Sequence, residues 1–359
     1  MFKIIILIFT VSIYAQAELW LSYDGVNFEP TTEESLGKRA VKSHNTNTYC
    51  GGFIVMERPE HFLNKSLDQF FNLQNYTINR EAVVKDALSR VQERRLYKFI
   101  EKFSSYKTRY YKSSDGVRAA KDLAKNWSEI TSTRSDINVS LYKHRKWPQD
   151  SVVLEIKGRT NQNIIIGGHL DSINTNDEGV HSHAPGADDN ASGISVLTET
   201  LRVLVESNYQ PKNNIIFIAY AAEEVGLRGS LEIAQKYAKE NKLIKGVLQI
   251  DGTNYNGSSK KIVLINDHTN SKQNKFLGNL IDRYVNVSWA YDTCGYACSD
   301  HYAWTYNGFI ASFPAEAYVK EENPFIHTEN DTVEVMNNRA NHAVYFTKLS
   351  LAYLIELDK

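Results

Sequence analysis

The sequence predicts an α/β fold, a doubly wound and mostly parallel sheet with helices on both faces. Short apolar runs rich in Ile and Val, of the length of buried strands, recur from residue 152 onward, and segments with apolar residues at helical spacing separate them. Composition agrees: 359 residues, 42% hydrophobic and 23% charged with 19 Gly and 7 Pro, exclude a collagenous, disordered or disulfide-framework chain. With 41 Lys plus Arg against 42 Asp plus Glu, the formal net charge is −1. No basic block stands out that could neutralise a run of phosphates, so nucleic acid is not an expected partner.

In chain order, residues 1–17 read as a secretory signal peptide. Lys3 precedes an apolar run from Ile4 to Ile13, and Ala15-Gln16-Ala17 gives a small-x-small cleavage signature. The run is about half the roughly 20 residues needed to span a bilayer, and no later stretch approaches that length. The mature protein is therefore expected to be soluble, secreted and free of the membrane. Residues 18–80 are mixed, with Asn/Thr clusters such as Ser43 to Thr48, and are read as a pro-segment removed by a processing protease. That segment would assist folding or cover the functional site of the rest of the chain until cleavage. Residues 81–359 are the expected main domain, acting as a monomer.

This domain opens with a polar helix from Arg80 through Arg95. An amphipathic helix follows, with Val117, Ala120, Leu123, Ala124, Trp127 and Ile130 at helical spacing, started by Ser114-Asp115-Gly116. Strands are predicted at Val152–Ile156, Asn163–Ile166, Ile215–Tyr220, Val247–Ile250, Ile262–Ile265 and Phe309–Phe313. Helices are predicted around Ile194–Val205, Leu231–Lys239, Phe276–Tyr284 and Ala340–Ile355.

In such a sheet, sites form where strands end at their carboxyl edges. Four of the runs lead into candidate metal ligands: His169 and Asp171 after the second, Glu223 and Glu224 after the third, Asp251 after the fourth, and His327 in the loop beyond the last. Asp188 and Asp189 lie between the first two groups. Two imidazoles and several carboxylates converging on one edge match a nitrogen and oxygen site for zinc-like divalent ions. Cys294 and Cys298 enclose Tyr296 in Cys-Gly-Tyr-Ala-Cys and are expected to form a disulfide, the alternative being two unpaired thiols. So short a closed loop gains little chain entropy, and the bond's use would be to hold Tyr296. Cys50 is odd by count and would leave with the pro-segment.

Gly167 to Ser172, Ala184 to Gly193, Ala219 to Ser230, Asp292 to His301 and Ile326-His327-Thr328 resemble the secreted bacterial leucyl aminopeptidases. These belong to a di-zinc peptidase family whose wider relatives include glutamate carboxypeptidases, glutaminyl cyclases and the non-catalytic transferrin receptors. The resemblance covers about residues 80–359. It implies that His169 and Asp251 hold one Zn2+, Glu224 and His327 the other, and that Asp189 bridges them. Two metals about 3.5 to 4 Å apart would share a hydroxide and polarise the scissile carbonyl. Glu223 resembles the general base, Tyr296 a residue that hydrogen-bonds the substrate carbonyl or the intermediate, and Asp171 could accept the second N–H of His169. Asp300 and His301 match the family motif as supporting residues. His181 and His183 fall outside the pattern and read as exposed loop histidines, as do His144, His268 and His342.

The substrates implied are peptides with a free N-terminus. The resemblance places Gly252, Ile265, Phe313, Ala315, Glu322 and Ile326 around the first side chain, together with Tyr296, Val319 and the two cysteines. Leucine-preferring members carry larger residues at the positions of Gly252, Ala315 and Glu322, so this pocket is expected to be deeper, with an acidic end if Glu322 faces inward. Such an end would favour Lys or Arg over Leu; on a solvated rim Glu322 would contact nothing. Rival readings keep the fold but change the reaction to a metallo-carboxypeptidase, a dipeptidase or a glutaminyl cyclase. A binding protein that has lost catalysis is a further rival, although no ligand position is missing.

Overall fold

The computed structural model describes residues 19–24, 27–47, 52–57, 76–177 and 179–359. The signal peptide and Cys50 lie outside the described residues. Strands β1 (Leu19–Ser22), β2 (Glu29–Thr31) and β3 (Ile54–Met56), with helix α1 (Leu36–Asn47) between the last two, form a small antiparallel sheet in the order β2-β1-β3. Strands of three or four residues are too short to show a pattern, which is why this segment reads as irregular in sequence.

Next come helices α2 (Glu81–Ser89), α3 (Glu93–Phe103) and α4 (Ser114–Ile130), then strands β4 (Ile137–Tyr142), β5 (Ser151–Ile156) and β6 (Gln162–His169). The helix expected from Arg80 through Arg95 is thus two helices. Gln92 between them is extended, and the carboxylate of Glu199, remote in sequence, accepts its backbone N–H at 2.8 Å. Ser113, rather than the following residues, caps α4 by accepting the Gly116 N–H. The chain continues through α5 (Gly193–Glu206), β7 (Asn214–Tyr220), α6 (Arg228–Lys239), β8 (Leu243–Gln249), β9 (Ile262–Ile265), α7 (Ser271–Leu280) and β10 (Trp289–Asp292). It ends with α8 (His301–Tyr306), β11 (Ala311–Ser312), β12 (Pro314–Ala315) and α9 (Ala343–Leu357).

The main sheet runs β11-β8-β6-β7-β5-β4. Its β11-β8, β8-β6 and β6-β7 pairs are parallel and its two remaining pairs antiparallel. The alternation along β6 shows why both faces are covered. Ile164 and Ile166 join the core built with α4, α5 and α9, whereas Ile165 joins the core under α6 and α8. Strand β4 was not legible in sequence because it is a half-exposed edge, and β10 pairs only within the separate β10-β9-β12 sheet. No helix among the described residues is long and apolar enough to cross a membrane.

Strand β6 is central: β7 lies on one side of it and β8 on the other, so the chain reverses direction across the sheet at its carboxyl end. Such a switch point opens a crevice, and it places the ends of β6, β7 and β8 around one space. The loops there are tied from below by Arg109, which is fully buried. Its guanidinium donates to the carbonyls of Leu170 (2.9 Å), Phe103 (3.2 Å), Gly186 (2.8 Å) and Pro185. It lies over the Phe103 ring, 4.8 Å from the centroid. Replacing Arg109 by Met leaves these carbonyls buried without a donor, and is expected to lower unfolding stability by about 3 kcal/mol or more. Urea unfolding of Arg109→Met measures this, and wild-type stability would show that the guanidinium is not the tie.

Candidate metal centre

His169 is the last residue of β6, Glu223 and Glu224 follow β7 by three and four positions, and Asp251 follows β8 by two. Asp189 and His327 enter from loops. Backbone constraint sets each loop: Ala222 and His327 take φ values of 57° and 58°, in a region that costs a non-glycine residue about 1 kcal/mol or more. Buried carboxylates offset that cost by accepting backbone N–H groups. Asp171 accepts those of Glu223 (3.1 Å) and Glu224 (3.3 Å), and Asp331 those of Asp188 (3.1 Å) and Asp189 (3.0 Å). The Asp189–Asn190 peptide is cis.

Two ligand triads result, one of His169, Asp189 and Asp251 and one of Asp189, Glu224 and His327. All are buried, and within each triad the candidate ligand atoms lie within 4.8 Å of one another. His169 Nε2 is 3.0 Å from Asp189 Oδ1 and 3.1 Å from Asp251 Oδ1, while His327 Nε2 is 2.9 Å from Asp189 Oδ2 and 3.4 Å from Glu224 Oε2. The two oxygens of Asp189 therefore face the two triads separately. These donors fit a pair of divalent cations on chemical grounds, because three buried carboxylates and two imidazoles form a dry site of excess negative charge that needs cations to be stable.

The protein groups polarise one another. Burial opposes ionisation of Asp189, yet hydrogen bonds from His169 and His327 hold its carboxyl well below the ordinary aspartate range. Burial likewise opposes charging of His169, but Asp251 and Glu223 beside it hold its pKa well above the usual value. Glu223 is fully buried, and neither of its oxygens has a hydrogen-bond partner among the described residues. Burial, with Asp300, Asp251 and Asp171 nearby, lifts its carboxyl well above the glutamate range.

Asp171 stands 3.5 Å from His169 Nδ1, at ion-pair rather than hydrogen-bond distance, so its closest partners are the two backbone N–H groups above. Ser299 does for Asp251 what was expected of Asp171 for His169: its Oγ donates to Asp251 Oδ2 at 2.5 Å, leaving Oδ1 toward the triad. Asp300 is buried and accepts from Gln249 at 3.0 Å, and burial pushes its pKa up to about 7. His301 stacks on Phe313 with centroids 5.2 Å apart.

A cavity adjoins the triads. Asp189, Asp251, Gly252, Tyr296, Phe313 and Ala315 line it, as do Cys298, Glu322 and Ile326. Ile265 and Val319 pack behind this wall rather than on it. Cys294 and Cys298 are disulfide-bonded, and Asp267 accepts the N–H groups of Cys294 (2.9 Å) and Gly295 (2.7 Å). Sequence reasoning missed Glu316, a buried lining residue that accepts the Tyr255 N–H at 2.6 Å and hydrogen-bonds Asp188. Its place just past the last apolar run was the available signal. Gly252 faces it, and a Cβ there would lie in ordinary contact, 3.8 Å from the Glu316 carboxyl carbon.

Two histidines depart from the expectation of exposure. His144 is buried between Glu232 and Ser151, with 2.8 Å to each, and His342 between the carbonyls of Tyr255 (2.9 Å) and Lys261 (2.6 Å). Both fill both ring nitrogens, and apart from Ser151 their partners lie more than eighty residues away, which no local pattern signals. His268 is half-buried against Tyr302, and His181 and His183 are exposed.

Comparison with known proteins agrees with this geometry. "Leucine aminopeptidase 1" of the fungus Paracoccidioides brasiliensis is 33% identical over 78% of this chain and 74% of its own. A "Probable aminopeptidase" of Saccharomyces cerevisiae is 33% identical over 92% of this chain and 93% of its own. Among solved structures, LapB of Legionella pneumophila superposes with a TM-score of 0.79 at 32% identity, covering 92% of this chain and 91% of its own. The LapA aminopeptidase of the same organism gives 0.83 at 27%, covering 95% and 98%, a span that residues 80–359 alone could not supply. A Bacteroides thetaiotaomicron glutaminyl cyclase, at 16% identity and a TM-score of 0.58 over 74% of this chain and 98% of its own, shares the fold. Residues 151–352, which contain every member of both triads, match the model of peptidase family M28, and the chain belongs to that family.

Proposed function

We propose that the protein is an exported, zinc-dependent aminopeptidase that hydrolyses the first peptide bond of peptides with a free amino group. One observation carries the reading: two buried triads share Asp189 beside a cavity, with the unpartnered Glu223 carboxylate at their edge. The apolar leader at residues 1–17 supports export, and the named aminopeptidase relatives support the activity. The cavity supports it too, because beyond the triad carboxylates its described lining contains Asp188, Glu316 and Glu322 but no Lys or Arg. Such a wall attracts an ammonium group and repels the carboxylate that a carboxypeptidase must hold.

His169 and Asp251 would hold one Zn2+ and Glu224 and His327 the other, with Asp189 between, and the pair would polarise the scissile carbonyl and neutralise charge that develops on its oxygen. Glu223 takes a proton from the attacking water and returns it to the departing amine, which its unpartnered oxygens leave it free to do. Tyr296, on the cavity wall, donates a hydrogen bond to the carbonyl oxygen as the carbonyl carbon becomes tetrahedral and charge develops on that oxygen. Asp171 and Asp331 keep the ligand loops from shifting as charge changes hands.

The test is a panel of lysyl, arginyl and leucyl chromogenic amides, each with its amino group free and acetylated. Cleavage of the free forms alone, abolished by chelation and restored by zinc, is the expected result. Cleavage of acetylated members, or activity indifferent to chelation, would contradict the reading. Glu322, on the cavity wall with Glu316, would make the pocket prefer Lys or Arg. Replacement by Gln is expected to reduce the lysyl-to-leucyl ratio of kcat/KM about tenfold, the worth of one charge-assisted hydrogen bond. An unchanged ratio places Glu322 outside the recognition of the first side chain.

A further inference from the structure

We propose that residues 19–57 are a permanent part of the active enzyme, in which Glu33, acting through Arg228, positions the loop that carries Glu223. The proposal rests on Glu223 as the base and reverses the expectation of a removable cover.

Both faces of β3 are buried against the catalytic unit. Phe53 and Val55 pack with Ala222 and Val225, which flank Glu223 and Glu224, while Ile54 and Met56 pack with Leu227, Leu231 and Ala297. All four are at most 4% exposed. A cover that is later discarded buries one face and leaves the other to water; a strand buried on both faces is core. The backbone joins as well. Val55 donates its N–H to the Gly226 carbonyl, and Gly52 donates to the Ala297 carbonyl inside the disulfide loop of Tyr296, each at 3.1 Å. Gly226 has φ of 107°, and a Cβ there would meet Val55 at 2.6 Å and Phe53 at 2.9 Å. The loop after the base is thus shaped around the strand.

Glu33 supplies the charge. Its two oxygens receive Arg228 Nη1 at 3.0 Å and Nη2 at 2.8 Å, and Arg228 is buried at the first position of α6. The guanidinium lies 4.4 Å from the centroid of Trp147, which stacks on His144 at 4.5 Å. His144 bonds Ser151, whose Oγ accepts the Ala221 N–H at 2.9 Å. Both ends of the Ala221–Arg228 loop therefore rest on one stack, and Glu33 closes it. Without Glu33 the buried guanidinium keeps aromatic faces and a 3.5 Å contact to Tyr111, too little for a desolvated cation. Among the described residues, none that lines the cavity belongs to residues 19–57, so these residues support the site without lining it.

The experiment uses the full chain, exported and purified by activity. Mass analysis is expected to find residues 19–57 in the active species, intact or nicked but still bound. A fully active species that has lost them overturns the proposal, and this arm decides even if point variants fail to fold. In kinetics, Glu33→Ala is expected to lower kcat about tenfold to a hundredfold, as a displaced catalytic loop does, with KM changed less than about twofold and bound metal unchanged. Arg228→Met added to Glu33→Ala should cost little more, and Glu33→Asp should recover part of the loss. Wild-type kcat in folded Glu33→Ala removes the proposal alone, whereas wild-type kcat in Glu223→Gln removes the base assignment and the proposal together.

Discussion

The Asp189 carboxylate sits between two imidazoles, one oxygen toward each, in a space from which water is largely excluded. Everything around it serves that placement. A carboxylate can face two ligand triads only if its backbone is fixed on both sides, and Asp331 fixes one side by accepting the N–H groups of Asp188 and Asp189. Arg109 fixes the approach by binding the carbonyls of Pro185 and Gly186. The same arginine binds Leu170, between His169 and Asp171, so one cation ties together the loops that supply opposite sides of the first triad.

This is a site in which negative charge is deliberately concentrated and held apart by hydrogen bonds. Asp171 and Asp331 are spent on backbone N–H groups, Asp188 accepts the Asn254 N–H, and Ser299 occupies one oxygen of Asp251. Each such bond leaves fewer orientations to the remaining carboxylates and so reduces the reorganisation needed when ions and substrate enter. The left-handed conformations at Ala222 and His327 belong to the same economy, since both residues lie at or next to groups whose direction matters more than their backbone comfort.

Much of this was legible in sequence, for a definite reason. His169, Glu224 and Asp251 follow runs rich in Ile and Val of the length of buried strands, and parallel strands deliver their carboxyl ends to one edge. His327 follows no such run and was placed by resemblance alone. Arg109, Asp331 and Ser299 were invisible because they act on backbone groups or on a ligand's second oxygen, which no spacing rule records. The break between α2 and α3 escaped for a similar reason, as the carboxylate at that break comes from Glu199 on α5. The N-terminal strands escaped through brevity. Their burial against Ala222, Val225 and Leu227 is a property of the assembled fold, and it turns an apparently irregular preface into a wall of the loop that carries Glu223 and Glu224.

We read Asp189 as the group that joins two cation sites into one. The most direct test of this is calorimetric titration of zinc into chelated, full-length protein, alongside the Asp189→Ala variant. Two equivalents bound per chain are expected in the wild type, with both sites weakened together in the variant, because each loses an oxygen ligand. A single equivalent in the wild type, or a variant that loses one site and keeps the other at full affinity, would contradict it.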